Sequence, residues 1–374
     1  MSGGVDSSLT ARLLSQKDYD LSAVYMRNWD TRDESGTDKG CEWEKDWEDV
    51  QRVCRMLDIP CQMVDLSREY WNRVFEPSLD TWQAGSTPNP DVWCNREIKF
   101  GALLDHLPKN SSSRRKTWLA TGHYARKEWS MEGPNSDIPR PRLLRALDIH
   151  KDQSYFLSSI TEEGLAQALF PLGRYTKMQV RELARNYRLP TAARKESMGI
   201  CFVGQKAKFN KFLSSYLPSR PGPIYDAFSK EQIGEHTGLW NYTIGENARL
   251  AGKSARMYVA KKDPSTNSIH VVRGGDNPAL YSNAFRVTDF RWIWPESPPA
   301  ILHHSSGSPF QILYRYRMKH TVGFVEMEST SKFTITFTEP QKAVTPGQVA
   351  ALYQNDVCLG CGTISATLPD ISTL

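Results

Sequence analysis

The sequence has no long apolar run and no regular cysteine framework. No stretch among its 374 residues approaches the roughly 18 apolar residues of a transmembrane helix, so we predict no membrane span. The seven cysteines are an odd number without regular spacing, which is typical of a reducing compartment where thiols serve chemistry or packing. Hydrophobic and charged contents of 39% and 24% are ordinary for a globular protein, and the length suffices for two or three domains.

No Walker-type lysine accompanies the glycine-rich motif at the start of the sequence, and no strand precedes it. A phosphate-binding turn between a strand and a helix needs that strand, yet Met1 alone stands before Ser2. We therefore expect the natural chain to begin upstream, with Met1 inside the first strand. The upstream segment is also where a targeting peptide would lie, so the lack of one in this sequence says little about the compartment.

The motif itself is the run SGGVDSS at 2–8, followed by leucines at helical spacing. Its glycines permit backbone angles with φ > 0, so that successive N–H groups can turn inward and hold an anion. Ser7 and Ser8 add hydroxyl donors at the predicted helix N-terminus, where the dipole also favours phosphate. A Ser/Gly turn that merely caps a helix is the alternative. The run resembles the pyrophosphate loop of the PP-loop, or N-type, ATP pyrophosphatases, which cleave ATP to AMP and pyrophosphate.

Strands and helices alternate in the first half of the chain. Apolar runs at 21–26, 59–66 and 116–121 are typical of buried strands, and helical spacing appears at 47–57, 70–82 and 98–107. This alternation predicts an α/β fold with a parallel sheet covered by helices, whose ligands lie at the carboxyl ends of the strands. A capping box at Thr176 predicts a further helix. The polar, Pro- and Gly-rich residues 129–141 predict an irregular surface loop.

The pattern changes after the Pro-rich segment 218–223. Short alternating apolar runs separated by turns follow to residue 364, which predicts small β domains ending in a barrel or sandwich. We predict a PP-loop catalytic domain at 1–205, a small β-rich domain at 206–279 and a C-terminal β-barrel at 280–374.

A second dense motif, TPNPDVWCN at 87–95, places a cysteine in a reactive setting. Two prolines stiffen the approach to Cys94, which lies near a predicted helix N-terminus, where the dipole lowers a thiol pKa and favours thiolate. Asp91 is placed to relay a proton. The alternative is a structural cysteine at a helix start.

The run SMGICFVG around Cys201 is, by itself, typical of a buried strand cysteine. An adenylating loop changes this interpretation. Activation by ATP turns a poor leaving oxygen into AMP, and two cysteines then indicate sulfur as the incoming atom. Cys54 is predicted to be a core residue of a helix, and the residues around Cys358 and Cys361 favour a buried strand over zinc ligation.

Motifs spread over the whole chain carry a resemblance to one enzyme family. In order they are SGGVDSS, NPDVWCN-x-EIKF, ATGHYAR, KDQSYFL, GICFVG, GEHTGLW and TPGQ. Together they resemble the tRNA-specific 2-thiouridylases, which thiolate C2 of the wobble uridine in certain tRNAs. The similarity runs from Met1 to about Ile364, and it implies that the C-terminal barrel contacts tRNA.

The resemblance implies a role for each matching residue. ATP, with Mg²⁺, would be held by Ser2, Gly3, Gly4, Val5, Asp6, Ser7 and Ser8, with Met26 and Gly122 beside the adenosine. The tRNA would be contacted by Asn89, Pro90, Asp91, His123, Lys151, Asp152, Gln153, Arg315, Tyr316 and Gln348. No protein side chain is predicted to bind a metal.

The implied chemistry uses both cysteines. The uracil O2 is adenylated first, and Cys201 carries a persulfide whose terminal sulfur attacks C2. Cys94 then attacks the Cys201 sulfur and leaves a Cys94–Cys201 disulfide, which an external reductant reopens. In a variant of this scheme, Cys94 frees hydrosulfide before the C–S bond forms. Asp91 is the predicted acid/base.

The implied partners are tRNAs of the Lys, Glu and Gln types, with a cysteine desulfurase or persulfide relay as sulfur donor. A net charge of +5 suits a polyanion. The segment 41–49 and the insert at 129–141 favour a mitochondrial matrix protein, with the cytoplasm as the site if the source is bacterial. Two other hypotheses are a different PP-loop ligase with structural cysteines, and a tRNA-binding homologue without catalysis.

Overall fold

The computed structural model describes residues 1–29, 42–107, 116–131, 138–195, 206–252, 255–295 and 309–368. Within the chain, two compact units are distinguished. Unit 1 comprises Met1–Val74, Asp91–Gly204 and Asp356–Leu359, and unit 2 comprises Phe75–Pro90, Gln205–Asn355 and Gly360–Leu374. Cys201, the predicted persulfide carrier, lies outside the described residues.

The α-helices of the described residues are α1 (Val5–Leu14), α2 (Glu42–Leu57), α3 (Ser67–Tyr70), α4 (Glu76–Gln83), α5 (Pro90–Trp93), α6 (Leu103–Asp105), α7 (Glu162–Gln167), α8 (Lys177–Asn186) and α9 (Lys206–Leu213). Two π-helical segments, Trp71–Phe75 and Cys94–Ala102, and two 3₁₀ turns, Leu239–Asn241 and Pro278–Leu280, accompany them. The predicted capping box is confirmed, since Thr176 accepts from the Gln179 N–H and the Gln179 side chain accepts in return.

The strands are β1 (Ala23–Arg27), β2 (Cys61–Asp65), β3 (Leu119–Ala120), β4 (Ala125–Ser130), β5 (Arg140–Arg145), β6 (Ala168–Leu169), β7 (Gly222–Asp226), β8 (Gln232–His236), β9 (Met257–Asp263), β10 (Ser268–Arg273), β11 (Tyr281–Trp292), β12 (Phe310–Leu313), β13 (Thr321–Ser329), β14 (Lys332–Lys342), β15 (Val349–Gln354) and β16 (Val357–Leu368). The loop predicted over 129–141 was therefore too long, because β4 and β5 pair through Trp129–Pro141 and Ser130–Arg140.

Unit 1 contains the parallel pairings that the alternating pattern predicts. β1 pairs with β2 and β3 with β6, both parallel. Packed against them, α2 contributes Val50 and Cys54 to a core with Ala23 and Tyr25. A second core joins α1 to α8 through Leu9 and its neighbours. These parallel pairings confirm the α/β prediction. Cys54 lies in the core, as predicted, and burial raises the pKa of its thiol to about 12.

Unit 2 is built from β-sheets. Strands β8, β7, β10 and β9 form one sheet in that order, with β10 and β7 parallel. Strands β11, β14, β13, β12, β15 and β16 follow one another, and β11 also pairs with β16, which closes a barrel. The predicted C-terminal barrel is confirmed. Cys358 and Cys361 are both buried on β16, as predicted for a strand.

None of the helices in the described ranges has both the length and the apolar character needed to cross a bilayer.

Candidate functional site

The glycine-rich loop before α1 depends on the backbone of Gly3. Gly3 has φ +68°, a left-handed conformation that is unfavourable for residues with a Cβ. A Cβ at this position would also lie 2.6 Å from the backbone oxygen of Asp46 and 2.8 Å from Nη1 of Arg194. The predicted positive φ is therefore confirmed at Gly3. Gly4, the N-cap of α1, is extended at φ −82°.

The serine hydroxyls of this loop are hydrogen-bonded to its own backbone. Ser7 and Ser8 donate to the carbonyl oxygen of Gly4 at 3.1 and 2.9 Å. Ser7 Oγ also accepts the N–H of Ser2 at 3.1 Å. Both hydroxyls are buried, and their bonds to the Gly4 carbonyl oxygen stabilise the first turn of α1.

A guanidinium from outside the motif holds the loop at Gly3. Arg194 donates from Nη1 to the Gly3 carbonyl oxygen at 2.9 Å. The same guanidinium forms ion pairs with Asp46 and Asp49 of α2. Arg194 thus connects the loop to α2 through charge-assisted hydrogen bonds, which are stronger than neutral ones.

Asp6, within the motif, is paired with a lysine. Lys177 Nζ, at the start of α8, lies 2.7 Å from both carboxylate oxygens of Asp6. Tyr124 donates its hydroxyl to the same carboxylate at 2.8 Å. The Lys177 side chain is 12% exposed, so this ion pair is largely shielded from water. A cation therefore stands beside a loop whose own sequence contains none.

Gly122 lies directly against the loop, as its predicted membership of the same site requires. A Cβ on Gly122 would approach Ser7 N and the carbonyl carbon of Asp6 to 2.9 Å. Met26 lies on β1 opposite Val64 of β2. Its placement beside the adenosine stays a prediction.

His123 follows Gly122 and carries a neutral ring. Burial, with a smaller contribution from the nearby Lys99 ammonium, holds the pKa of His123 well below its usual range. Its Nδ1 lies 2.9 Å from Thr121 Oγ1. A neutral imidazole suits stacking or hydrogen bonding with a base better than ion pairing with a phosphate.

Asp91 is a half-buried carboxyl that is influenced by the same lysine. Burial raises the pKa of Asp91, and the Lys99 ammonium opposes that shift. A raised pKa is one of the properties by which proteins adapt a carboxyl group to proton transfer. Asp91 and His123 therefore share one charged neighbour within unit 1.

Cys94 begins the π-helical segment that follows α5. Its thiol is buried, and Asn28 Nδ2 lies 3.9 Å from its Sγ. The next residue, Asn95, donates to the backbone oxygens of Asp91 and Phe156 at 3.0 and 3.2 Å. The helix begins at Pro90, so Cys94 lies one turn beyond its start, close to where the sequence predicts it.

The run from Lys151 to Gln153 is engaged within unit 1. Asp152 accepts from the N–H groups of Ala146 and Ser154 and from the Ser154 hydroxyl. Gln153 Oε1 accepts the Tyr124 N–H at 2.9 Å. Asp152 and Gln153 thus stabilise the turn that presents Lys151.

In unit 2, the segment Thr87–Pro90 is held by Gln348. Gln348 Nε2 donates to the carbonyl oxygens of Thr87 and Pro88 at 2.9 Å each. Its Oε1 accepts from Asn89 Nδ2 at 3.4 Å. The structure therefore brings Asn89 and Gln348, both predicted to contact tRNA, into one hydrogen-bonded group.

Arg315 and Tyr316 follow β12 in a basic turn. Arg315 is exposed and donates to the Ala343 carbonyl oxygen at 2.6 Å. The Arg317 guanidinium lies 5.4 Å from the Tyr316 ring centroid. Exposed arginines interleaved with an aromatic ring are a common surface for nucleic acid.

Comparison with known proteins decides the family. A family model described as tRNA methyl transferase HUP domain matches residues 1–205, followed by a PRC-barrel domain model at 210–273 and an aminomethyltransferase beta-barrel domain model at 282–364. The tRNA-specific 2-thiouridylase MnmA of Alkaliphilus oremlandii is 41% identical over 372 residues, covering 98% of this chain and 96% of the relative. The chain belongs to the tRNA-specific 2-thiouridylase family.

Other 2-thiouridylases of this family match the chain over a similar length. The MnmA proteins of Bacillus pumilus and Staphylococcus aureus are 41% and 40% identical, covering 99% and 97% of this chain and 95% and 93% of their own lengths. These relatives are bacterial, and nothing in them supports the mitochondrial expectation. The family models carry a methyltransferase description, whereas the full-length relatives are named for thiolation.

Sequence reasoning missed the cations around the 2-thiouridylase loop. Lys177 and Arg194 belong to no motif that the resemblance identifies, because their partners lie far away in the chain. One local signal does exist. Lys177 is the first residue of α8, where the helix dipole disfavours a cation, so its position there indicates an outside anion. That anion is Asp6.

Proposed function

We propose that this 2-thiouridylase thiolates C2 of the wobble uridine of tRNA at the expense of ATP. The observation that carries the proposal is the continuity of the site in unit 1. The anion-binding loop touches Gly122, His123 follows it, and the Lys99 ammonium acts on both His123 and Asp91. This continuity supports the assignment of the ATP loop and Asp91 to one site.

The loop residues Ser2 to Ser8 bind the pyrophosphate end of ATP in this proposal, and Met26 and Gly122 contact the adenosine. Uracil O2 attacks the α-phosphorus, the bond to the bridging oxygen breaks, and pyrophosphate leaves with its electron pair. The position of the loop at the N-terminus of α1 supports this role, since the N–H groups of a first helical turn are suited to bind an anion. Mg²⁺ would accompany ATP.

Sulfur transfer uses the two cysteines. The terminal sulfur of a Cys201 persulfide attacks C2, and the Cys94 thiolate attacks the inner Cys201 sulfur. The S–S bond of the persulfide breaks, its terminal sulfur stays on C2, and AMP leaves. A Cys94–Cys201 disulfide results, which an external dithiol reduces. Release of hydrosulfide by Cys94 before attack on C2 is the variant order.

Asp91 moves the proton of the uracil ring in this scheme, and its raised pKa supports that role. Asn89 and Pro90 meet the base, which must leave its stack to be reached. His123, the turn of Lys151, Asp152 and Gln153, and the basic turn of Arg315 and Tyr316 contact the remaining tRNA. The sulfur donor in this proposal is a cysteine desulfurase or persulfide relay, and the substrates are tRNAs of the Lys, Glu and Gln types. The proposed domains are those predicted at 1–205, 206–279 and 280–374.

The test is transfer of radiolabelled sulfur to unmodified tRNA with a wobble uridine. The protein receives ATP, Mg²⁺, a cysteine desulfurase and labelled cysteine, and is compared with Cys94→Ser and Cys201→Ser. We expect labelled 2-thiouridine from the parent protein and none from either variant. Cys358→Ser, which changes a buried barrel cysteine, is the matched control and should retain labelling.

The outcomes separate the competing hypotheses. Labelling that survives in Cys94→Ser and Cys201→Ser would show that these cysteines are not the sulfur carriers. Retained tRNA binding without any labelled product, under conditions where a bacterial relative thiolates the same tRNA, would favour the non-catalytic homologue.

A further inference from the structure

Asn28 follows the carboxyl end of β1, the end of a parallel strand at which α/β proteins bind their ligands. Its Nδ2 lies 3.9 Å from Cys94 Sγ, a distance at which an N–H group can hydrogen-bond the large sulfur atom. Among the described residues, this sulfur is the hydrogen-bond partner of the side chain, and the buried Oδ1 has none. A buried amide with so little bonding to the protein is unusual and indicates a role other than holding the fold.

The backbone on either side of Asn28 is held by its neighbours. Arg27 ends β1, and its carbonyl oxygen accepts the Leu66 N–H at 2.8 Å. After Asn28, the Trp29 ring stacks on Trp71 with 5.8 Å between the ring centroids. The end of the strand is therefore fixed without the Asn28 side chain, which is presented to the cysteine by a rigid support.

The helix that leads to Cys94 gives its sulfur little help by itself. The helix α5 begins at Pro90, which has no backbone N–H, and Cys94 follows its four residues. The effect of a helix dipole falls off within the first turn, so it is weak at Cys94. A thiolate at this position therefore needs a separate donor, and the Asn28 amide is placed to be one.

We propose that Asn28 is a positioning residue for Cys94, whose thiolate it stabilises and orients through the amide N–H group. This inference rests on the proposed function, in which the Cys94 thiolate attacks the inner sulfur of the Cys201 persulfide, and it changes no bond in that scheme. An N–H donor favours the thiolate over the thiol, because hydrogen bonds to a charged acceptor are the stronger ones. Once the Cys94–Cys201 disulfide forms, the charge is gone and this hydrogen bond weakens.

The ionisable groups of the region are left in place when Asn28 is replaced. Asp91 and Lys99 lie on the helical stretch that contains Cys94, and the Arg27 guanidinium next to Asn28 forms an ion pair with β2. Asn28 itself is uncharged, so a leucine or an alanine in its place leaves the charge of the site unaltered. A change in Cys94 reactivity in these variants therefore reports the loss of the N–H donor.

The experiment measures alkylation of Cys94 by iodoacetamide as a function of pH, with the modified peptide identified by mass spectrometry. Only the thiolate reacts, so the midpoint of the rate against pH reports its stability, whereas the plateau at high pH reports access to the buried sulfur. We expect the midpoint to rise by about one pH unit in Asn28→Leu and Asn28→Ala. Asn28→Asp, which keeps the shape but places a negative charge beside the sulfur, should raise it further.

The order of the variants separates positioning from packing. If Asn28 only filled space, the nearly isosteric Asn28→Asp would be the closest to the parent protein, and the other two variants would change the plateau rather than the midpoint. The matched control is Asn186→Leu at the exposed end of α8, which should leave the midpoint unchanged. The free thiol of Cys61 on β2 is the internal reference. An unchanged midpoint in Asn28→Leu and Asn28→Ala would overturn the proposal.

A second readout uses the reaction itself. At saturating tRNA and ATP and neutral pH, the single-turnover rate of thiolation should fall about 10-fold in Asn28→Leu. The ratio of parent to variant rates should shrink as the pH rises, because the thiolate then forms without the amide; a ratio that stays constant would contradict the proposal. If the parent protein does not thiolate tRNA, the proposed function fails while the alkylation midpoint still tests the contact between Asn28 and Cys94.

Discussion

Two segments of this 2-thiouridylase are held in place by different chemistry. The loop 2–8 of unit 1 is surrounded by charge, with Arg194 and Lys177 pairing to carboxylates at its two ends. The segment Thr87–Pro90 of unit 2 is held by the Gln348 amide, which donates to its carbonyl oxygens, and by the Lys262 ammonium, which donates to Thr87 Oγ1. In the proposed function, the first segment receives the phosphates of ATP and the second meets the target base.

The two kinds of contact differ in how easily a ligand can replace them. In the proposed function, the Lys177–Asp6 ion pair lies near the ATP phosphates, and Lys177 can exchange its carboxylate partner for a phosphate. Neutral hydrogen bonds to backbone oxygens cannot be redirected so easily, because each lost bond leaves a polar group without its partner. In the proposed function, the base would therefore meet a fixed surface and the phosphates an adaptable one.

Gly3→Ala, in the loop 2–8, should have the largest effect on thiolation. The new Cβ would sit at a positive φ and within 2.6 Å of the Asp46 carbonyl oxygen, so the loop must move. We expect thiolation to fall about 100-fold or more, with tRNA affinity preserved. The control is Gly274→Ala, which has φ +83° but no atom within 4 Å of the new Cβ. Thiolation above half the parent rate in Gly3→Ala would contradict the assignment of the loop.

Lys177→Met should have the next largest effect. It leaves Asp6 with the Tyr124 hydroxyl but without its cation, and charge-assisted hydrogen bonds contribute about 1.5 to 3 kcal/mol. We expect the KM for ATP to rise about 10-fold or more, as measured by thiolation at varied ATP. Lys17→Met, an exposed lysine after α1, serves as the control. An unchanged KM would mean that this cation is structural.

The burial of the Lys262 ammonium beside the segment Thr87–Pro90 can be tested by the pH dependence of stability. Burial lowers the pKa of Lys262 to about 8, below that of the unfolded chain at 10.5. Between these values the unfolded state binds more protons, so the free energy of unfolding contributed by Lys262 rises with pH across this window. The urea stability of the parent protein should gain up to about 1.4 kcal/mol per pH unit over Lys262→Met there. Below pH 7 the difference should be constant; a difference that falls between pH 8 and 10 would contradict the burial of the ammonium.

Cys54→Ala should have the smallest effect on activity and provides the stability control for unit 1. The thiol lies in the core formed by α2 and β1, and its loss should cost about 1 to 2 kcal/mol of unfolding free energy. The thiolation rate per folded molecule should not change, in contrast to Gly3→Ala. A fall in rate at temperatures where the variant is folded would assign chemistry to a cysteine of unit 1 other than Cys94 and Cys201.

Local patterns predicted much of the fold and little of the support around the site. The capping box at Thr176 and the buried strand at Cys358 follow from neighbours within a few residues, and both are confirmed. The length of the loop at 129–141 was wrong, because pairing between β4 and β5 extends the strands into polar sequence. Arg194 was missed, because no residue near it in the sequence indicates that its guanidinium donates to the Gly3 carbonyl oxygen.

By itself, the sequence predicted the residues proposed for the chemistry of this 2-thiouridylase, namely the glycine-rich loop and Asp91 and Cys94 at a helix start, and it predicted the barrel at the end. Short-range periodicity and motif spacing are enough for that, because they depend on residues a few positions apart. Only the tertiary structure shows that Lys177 pairs with Asp6 and that the Gln348 side-chain amide donates to the carbonyl oxygens of Thr87 and Pro88. These contacts join residues more than 170 positions apart, and no local pattern encodes which distant oxygen a side chain will meet.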